Sequence, residues 1–348
     1  LYFYLFQRAT ANGQIGDNRD VGSFAHICKL EDMLNCTSKI REIARRLFAE
    51  DRVDAVLGFK RGTVPMMCQP VLIMNPEEVD VLYWDSFCCL NLANYLPKRK
   101  ERLAVVAKGC DARNIVVHLL ENQISRDQVF IIGIPCTGMV DRRKIMKALK
   151  NADLLEVKEN GDKITAMGEG VEESFSREEV LQDNCAICVH RNPVIFDALV
   201  GEPVVEQTGI DRYADVGEIE GMGVDDRSQY FQNLVALCIR CYACRDVCPL
   251  CYCPTCFVDE SKPQWLGKSV DPTDTLSFHL LRAFHCAGRC TDCGACEQVC
   301  PVGIKMRHFT KKLEKDVLDL YGHEAGMTLE SRPPLDVYRP DDPEEFIE

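Results

Sequence analysis

Two stretches of the chain repeat one thiol spacing. Residues 238–249 read CIRCYACRDVCP and residues 290–301 read CTDCGACEQVCP, each a Cys-x2-Cys-x2-Cys-x3-Cys-Pro run. In such a run three closely spaced thiolates hold three irons of one cubane, and the fourth cysteine reaches across to a second cubane. The spacing assigns Cys238, Cys241, Cys244 and Cys300 to one [4Fe–4S] centre, and Cys290, Cys293, Cys296 and Cys248 to another. A pair of zinc sites is the plain alternative, but it requires neither two full copies nor the trailing proline. A radical-forming Cys-x3-Cys-x2-Cys can be traced through Cys244, Cys248 and Cys251. It overlaps the first run and lacks an independent barrel-like sequence around it, so it is set aside.

Further thiols stand outside these runs. Cys251, Cys253, Cys256 and Cys286 either hold a fourth centre or pack as apolar side chains in the cluster shell. Cys185 and Cys188 form a Cys-x-x-Cys pair with no second pair close behind, so a metal bound there needs ligands from elsewhere. Cys110 and Cys136 each sit in a turn between a strand-like run and a helix-like run. Functional groups of a parallel sheet gather beyond the C-terminal strand ends, and helix N-termini there favour anions. If the two strands are neighbours, Cys110, Cys136, Cys185 and Cys188 make a third [4Fe–4S] site. The alternative is two buried strand-end cysteines plus a small zinc or unliganded pair. Cys88 and Cys89 read as packing residues on a helix over 85–96, and His190 as a residue on the surface or behind the ligands.

The elements that must position these groups follow from periodicity. Apolar residues at helical spacing predict a helix over 37–50, followed by a strand at 53–59. Strands at 103–108 and 129–134 alternate with helices at 112–123 and 141–150, the pattern of βαβ units in a parallel sheet. Asn160-Gly161 centres a hairpin over 156–165. From about residue 220 strands give way to helices near 225–237, 273–285 and 306–320, which frame the two cysteine runs. The expected fold class is α/β: an N-terminal parallel-sheet domain followed by a mainly helical two-cluster ferredoxin domain. The expected divisions are an N-terminal extension (1–36), an α/β iron–sulfur domain (37–219), a helical dicluster domain (220–325) and an acidic, proline-rich tail (326–348) that is either disordered or a partner-binding arm.

Bulk composition restricts the function. A chain of 348 residues with 46% hydrophobic residues can build two or three cores. The 41 basic and 54 acidic residues give a net charge of −13, which argues against general nucleic-acid binding. No apolar run is long enough to span a membrane. The apolar opening LYFYLF lacks the basic start and small-residue cleavage site of a signal peptide. An odd total of 21 cysteines, grouped in Cys-x-x-Cys units, is wrong for a secreted disulfide scaffold and points to a reducing, cytoplasmic setting.

Residues 50–201 resemble the β-subunit family of coenzyme-F420-reducing hydrogenases and formate dehydrogenases, which also includes a plant chlorophyll-pathway reductase. The resemblance rests on AKGCD (107–111), GIPCTG (133–138) and CAICVHRNPVIFDALVG (185–201). It implies Cys110, Cys136, Cys185 and Cys188 as ligands of an iron–sulfur cluster, and a flavin in most members. The glycine-rich Gly-Gly-x-x-Thr element of the family is not recognisable here, and there is no Gly-x-Gly-x-x-Gly. GFKRGTVP (58–65) offers Lys60, Arg61 and Thr63 to an FAD phosphate, and reads equally as a solvated turn. The long segment between Cys248 and Cys290 resembles the helical ferredoxin modules of heterodisulfide reductase small subunits and succinate dehydrogenase iron–sulfur subunits. The reading that follows is an iron–sulfur electron-transfer subunit of an anaerobic redox complex, converting between a two-electron site, with FAD as a candidate, and single electrons. Expected partners are a heterodisulfide-reductase-like flavoprotein, a hydrogenase or a formate dehydrogenase. The alternative is a flavin-free wire between proteins, with no substrate of its own.

Overall fold

Apolar β-branched runs dictate the centre of the molecule. The computed structural model describes residues 30–150 and 152–334. The expected extension before residue 30 and the tail from 335 onward lie outside the described residues. Helix α1 (Leu30–Ala49) leads into strand β1 (Ala55–Arg61), which turns back into β2 (Cys68–Ile73). Strand β3 (Leu103–Ala107), helix α2 (Gly109–Leu120), strand β4 (Val129–Gly133) and helix α3 (Arg142–Ala148) follow as the expected βαβ alternation. A three-stranded antiparallel sheet comes next: β5 (Leu154–Asn160), β6 (Lys163–Gly168) and β7 (Val171–Ser176). Two short helices, α4 (Arg177–Val180) and α5 (Asp183–Ala186), precede the two-residue strand β8 (Ala198–Leu199).

The main sheet has the order β2-β1-β3-β4-β8. Strands β1, β3, β4 and β8 are parallel, so their C-terminal ends share one edge. The sheet is mixed rather than purely parallel, because β2 pairs antiparallel with β1 through a hairpin the sequence reading took for a loop. Its centre is dry: Val56, Leu57, Ala104, Val105, Ile131 and Ile132 are all buried. Helix α1 covers one face with Ile40, Ala44 and Leu47. It begins at Leu30 rather than near residue 37. The expected hairpin at 156–165 gains β7 as a third strand. The helix expected over 85–96 shrinks to a single 3-10 turn at Leu92–Tyr95, capped by the Asn91 side chain.

Beyond β8 the chain is helical. Helices α6 (Ala214–Glu220) and α7 (Val224–Val235) lead to the first cysteine run, whose third cysteine lies in α8 (Ala243–Asp246). Helix α9 (Pro272–His285) crosses between the runs, capped by Asp271. The second run carries α10 (Ala295–Gln298), and α11 (Arg307–Tyr321) closes the described fold. Among the described residues, no helix is long and apolar enough to cross a membrane.

The helical part packs on the α2 side of the sheet. Asn114 donates to Thr291 Oγ1 (2.8 Å), His118 Nε2 meets the Pro249 carbonyl (2.8 Å), and Arg113 donates to the Ala325 carbonyl (2.8 Å). Asn184 adds a bond to the Asp292 carbonyl (3.2 Å), and Arg143 one to that of Glu297 (3.1 Å).

One buried ion pair fixes the turn from β3 into α2. Lys108 Nζ lies 2.8 Å from Asp111 Oδ2, both side chains buried. Asp111 also accepts from the Lys108 and Leu92 amides (2.8 and 2.7 Å). Removing one partner of a buried pair leaves the other charge uncompensated, at a cost of about 3–5 kcal/mol. Asp111→Ala is therefore expected to destabilise the chain by about that amount, read as a lowered denaturant midpoint with an unchanged slope; an unchanged midpoint would refute it.

Candidate metal centres

The two cysteine runs adopt matching backbones. In the first, Arg240 and Tyr242 take left-handed conformations (φ 51° and 59°); in the second, Asp292 and Gly294 do so at the equivalent places (φ 55° and 72°). Each run then enters a one-turn helix, α8 or α10. Alternating right- and left-handed residues turn successive N–H groups inward, a concavity suited to an anion. The Arg240 amide accordingly meets Cys238 Sγ at 3.4 Å, and the Ile304 amide meets Cys300 Sγ at 3.3 Å.

The pairing of the runs is crossed. Cys238, Cys241, Cys244 and Cys300 line one pocket, together with Tyr242, Phe278, His279, Pro301 and Ile304. Cys248 instead packs beside Cys290, and its thiol acts electrostatically on Cys293 and Cys296. The fold thus gathers the two quartets that the spacing assigns. No disulfide joins any two of the described cysteines.

The residues expected to make the third quartet lie where the sheet ends. Ala107 and Gly133 are the last ladder pair of β3 and β4, and Cys110 and Cys136 each follow three residues later. Cys185 lies in α5 and Cys188 just after it. The Cys136 thiol acts electrostatically on Cys110, Cys185 and Cys188 alike. Gly138, at φ 101°, brings its amide to Cys136 Sγ (3.3 Å). A Cβ on Gly109 would fall 2.4 Å from the His190 carbonyl, so only glycine lets the 190–192 segment close over this turn. His190 itself is half-buried and turns to Glu324 (2.7 Å), not to a thiol.

Burial pushes the Cys185 thiol up to about 12 and that of Cys188 up to about 11. The same cause pushes Cys290 up to about 12 and Cys244 up to about 11. Metal binding must displace these protons, since a coordinating thiol is deprotonated. Cys248 is the exception: hydrogen bonds from Cys251, then Cys286, hold its pKa well below the ordinary thiol value. Cys251 and Cys286 thus lie beside Cys248 and beside each other. Cys253 is exposed, and Cys256 packs near Phe278 in a different apolar group.

Buried cations accompany the quartets, and the sequence reading missed them. Arg282, on α9, is buried with electrostatic contact to Cys248, Cys286, Cys296 and Cys244. Its Nη2 donates to the Cys244 carbonyl (3.0 Å), while its Nε has no partner. A buried guanidinium with an orphaned donor calls for negative charge nearby, and two four-thiolate iron–sulfur clusters would supply it. Burial works against the Lys108 ammonium, but Asp111, Cys110 and Cys136 outweigh it and hold its pKa above the ordinary lysine value. His279, one helical turn before Arg282, places Nε2 at 3.4 Å from Cys238 Sγ. The available signal was the polar pair at i, i+3 within the apolar stretch FHLLRAF of a helix linking two metal runs.

Lys60, Arg61 and Thr63 fall at the β1–β2 hairpin, on the same sheet edge as Cys110 and Cys136. The Gly62 amide is spent on the Met67 carbonyl (2.7 Å), and Arg61 stacks on Tyr83 (4.1 Å) and bonds its hydroxyl (3.1 Å). The loop does not form a backbone cradle for phosphate, so its fit to FAD is poor.

Comparison with known proteins adds the relationship. The chain is 25% identical over 365 residues to the F420-dependent formate dehydrogenase subunit beta of Methanocaldococcus jannaschii, an alignment covering 86% of this chain and 94% of that protein. It is also 25% identical over 364 residues to the F420-dependent formate dehydrogenase 1 subunit beta of Methanococcus maripaludis, covering 86% and 93%. These relatives support the expected resemblance to the F420 dehydrogenase β-subunit family. No protein-family model matches it. A chain of the F420-reducing [NiFe] hydrogenase complex from Methanosarcina barkeri aligns with a TM-score of 0.36 and 14% identity, covering 57% of this chain and 88% of that one. This similarity, together with 21 cysteines, is compatible with iron–sulfur chemistry in a redox-complex subunit.

With iron on Cys238, the tautomer of His279 that carries its proton on Nε2 would favour the more negative, reduced state. A hydrogen bond worth about 1 kcal/mol corresponds to roughly 40 mV for one electron. His279→Leu is expected to lower the midpoint potential of one paramagnetic centre by about that amount, read by potentiometric titration; unchanged midpoints for all centres would refute it.

Proposed function

We propose that this chain is the electron-transfer subunit of an anaerobic, cytoplasmic oxidoreductase complex, with three [4Fe–4S] centres. Cys110, Cys136, Cys185 and Cys188 would hold the first. Cys290, Cys293, Cys296 and Cys248 would hold the second, and Cys238, Cys241, Cys244 and Cys300 the third. When bound, such centres supply one-electron oxidation and reduction. The units would be residues 37–219, carrying the first quartet, and 220–325, carrying the other two.

The observation that carries the reading is the order of the quartets. The first lies at the C-terminal edge of the sheet, where α/β folds place small-molecule sites. Cys110 is within electrostatic reach of Cys293 in the second quartet. The second meets the third across Arg282, and the third reaches the surface at Cys241. The chain's own residues keep this order: Asn114 and Asn184 tie the first to the second quartet, and Arg282 offsets negative charge between the second and third.

The related β subunits are named F420-dependent. By that relationship, a two-electron donor such as reduced F420 would engage the sheet edge, directly or through FAD beside Lys60, Arg61 and Thr63. A formate dehydrogenase, a hydrogenase or a heterodisulfide-reductase-like flavoprotein would dock at the other end. The poor phosphate fit of the hairpin favours the second reading, a flavin-free wire between proteins, and released-flavin quantitation separates the two.

Anaerobically purified chain is expected to carry about twelve irons, four per quartet; about eight, with Cys110 and Cys136 freely alkylated, would leave only the two crossed quartets. Cys110→Ser and Cys188→Ser are expected to perturb the same paramagnetic signal while sparing the others. A Cys110 variant that kept every signal while the Cys188 variant lost one would refute the shared site. Cys241→Ala or Cys293→Ala is expected to interrupt electron flow from end to end. Full throughput with unchanged iron in both would overturn the proposal.

A further inference from the structure

A smaller group of ligand atoms stands apart from the three quartets. Cys68 opens edge strand β2, while Asp85 and Cys88 lie on the irregular segment before the Leu92–Tyr95 turn. The Sγ atoms of Cys68 and Cys88 and a carboxylate oxygen of Asp85 all lie within 4.8 Å of one another. Asp85 Oδ1 is 3.2 Å from Cys68 Sγ and 3.7 Å from Cys88 Sγ. Around a tetrahedral zinc ion with ordinary bond lengths, sulfur and oxygen ligands stand about 3.5 Å apart. The two observed separations straddle that value.

We propose that Cys68, Asp85 and Cys88 form a mononuclear zinc site, with solvent in the fourth position. Three features support it beyond proximity. The carboxylate is oriented by the Phe87 amide, which donates to Asp85 Oδ1 (2.8 Å), and Cys88 Sγ accepts from the Asp85 amide (3.4 Å). Such bonds fix ligands from behind. Cys88 is buried while Cys68 and Asp85 are half-buried, so the group closes on one side and opens on the other. Charge also fits: two thiolates and a carboxylate leave a single negative charge on a zinc complex. Buried Lys108, with Nζ 3.2 Å from the Cys88 carbonyl, stands behind it.

Paired thiolates favour zinc over magnesium or calcium, and the carboxylate disfavours copper(I). Binding replaces the two thiol protons and changes no oxidation state. Its consequence is mechanical. The ion ties edge strand β2 to the irregular segment that precedes the Leu92–Tyr95 turn.

The test measures zinc and iron in full-length chain purified anaerobically without chelators, for the parent, Cys68→Ser and Asp85→Asn. Both positions are half-buried, so neither change empties the core. Zinc is expected in stoichiometric amount in the parent, with affinity about 10-fold or more weaker in each variant and iron unchanged. Cobalt(II) exchanged for the zinc is expected to show sulfur-to-metal charge-transfer absorption that Cys68→Ser diminishes. Equal zinc in parent and variants, no zinc in the parent, iron at this site in place of zinc, or parallel loss of iron from Cys68→Ser would each overturn the proposal.

Discussion

Taking many ionisable sulfurs out of water is the constraint on which the rest of the molecule depends. Burial alone holds most of these thiols protonated, as the raised values at Cys185, Cys188, Cys244 and Cys290 record. Burial equally disfavours the guanidinium of Arg282, whose Nε finds no partner. Each is costly alone. They become complementary when the thiols give up their protons to metal, because the resulting anions face the cation directly. The same logic governs Lys108, which Asp111 balances on one side while Cys110 and Cys136 lie on the other. The buried cations are thus intelligible as counter-charges to bound clusters and hard to explain as packing.

The α/β frame positions sulfur by register. Because β3 and β4 pair in parallel and in step, two cysteines at equal offsets from the last ladder pair emerge at the same edge. Asp111 then locks one of those turns through the Lys108 and Leu92 amides. The β1–β2 hairpin adds a second load to that edge, since β2 begins with Cys68 beside Asp85. An edge strand exposes unpaired backbone groups and gains little from its neighbours. A metal bond at its first residue would compensate for that weakness.

Sequence periodicity made the strand–helix alternation from 103 to 150 legible, because apolar strand runs of five or six residues between amphipathic helices leave few alternatives. The cysteine runs were legible for a different reason: their repeated Cys-x2-Cys-x2-Cys-x3-Cys-Pro spacing stands out whatever the fold. What escaped depends on tertiary partners. Strand β2 holds Pro70 and a mostly half-buried pattern, which propensity alone does not mark as a strand. Cys88 and Cys89 look helical until the Asn91 cap and the Asp85 hydrogen bonds pull the segment out of regular structure. Arg282 and His279 resemble any polar residues on an amphipathic helix, and only the fold shows that they face inward.

The two runs are near copies in spacing and backbone, yet they are not interchangeable, and one position shows why. The left-handed residue after the second cysteine is Tyr242 in the first run and Gly294 in the second. A Cβ at 294 would lie 2.3 Å from the Asn184 side chain, so glycine is required where the α/β part docks. At the equivalent place in the first run Tyr242 occupies the same strained conformation, held by Phe278 (5.3 Å) and the Arg245 guanidinium (4.8 Å). The α/β part meets the second run at Gly294 and the first at Asp246 and Pro249, while Cys241 of the first stays exposed beside Leu237 and Ile239. A symmetric pair of clusters would give electrons no preferred end. Unequal contacts with the α/β part remove that symmetry, covering Gly294 of the second run and leaving Cys241 of the first exposed.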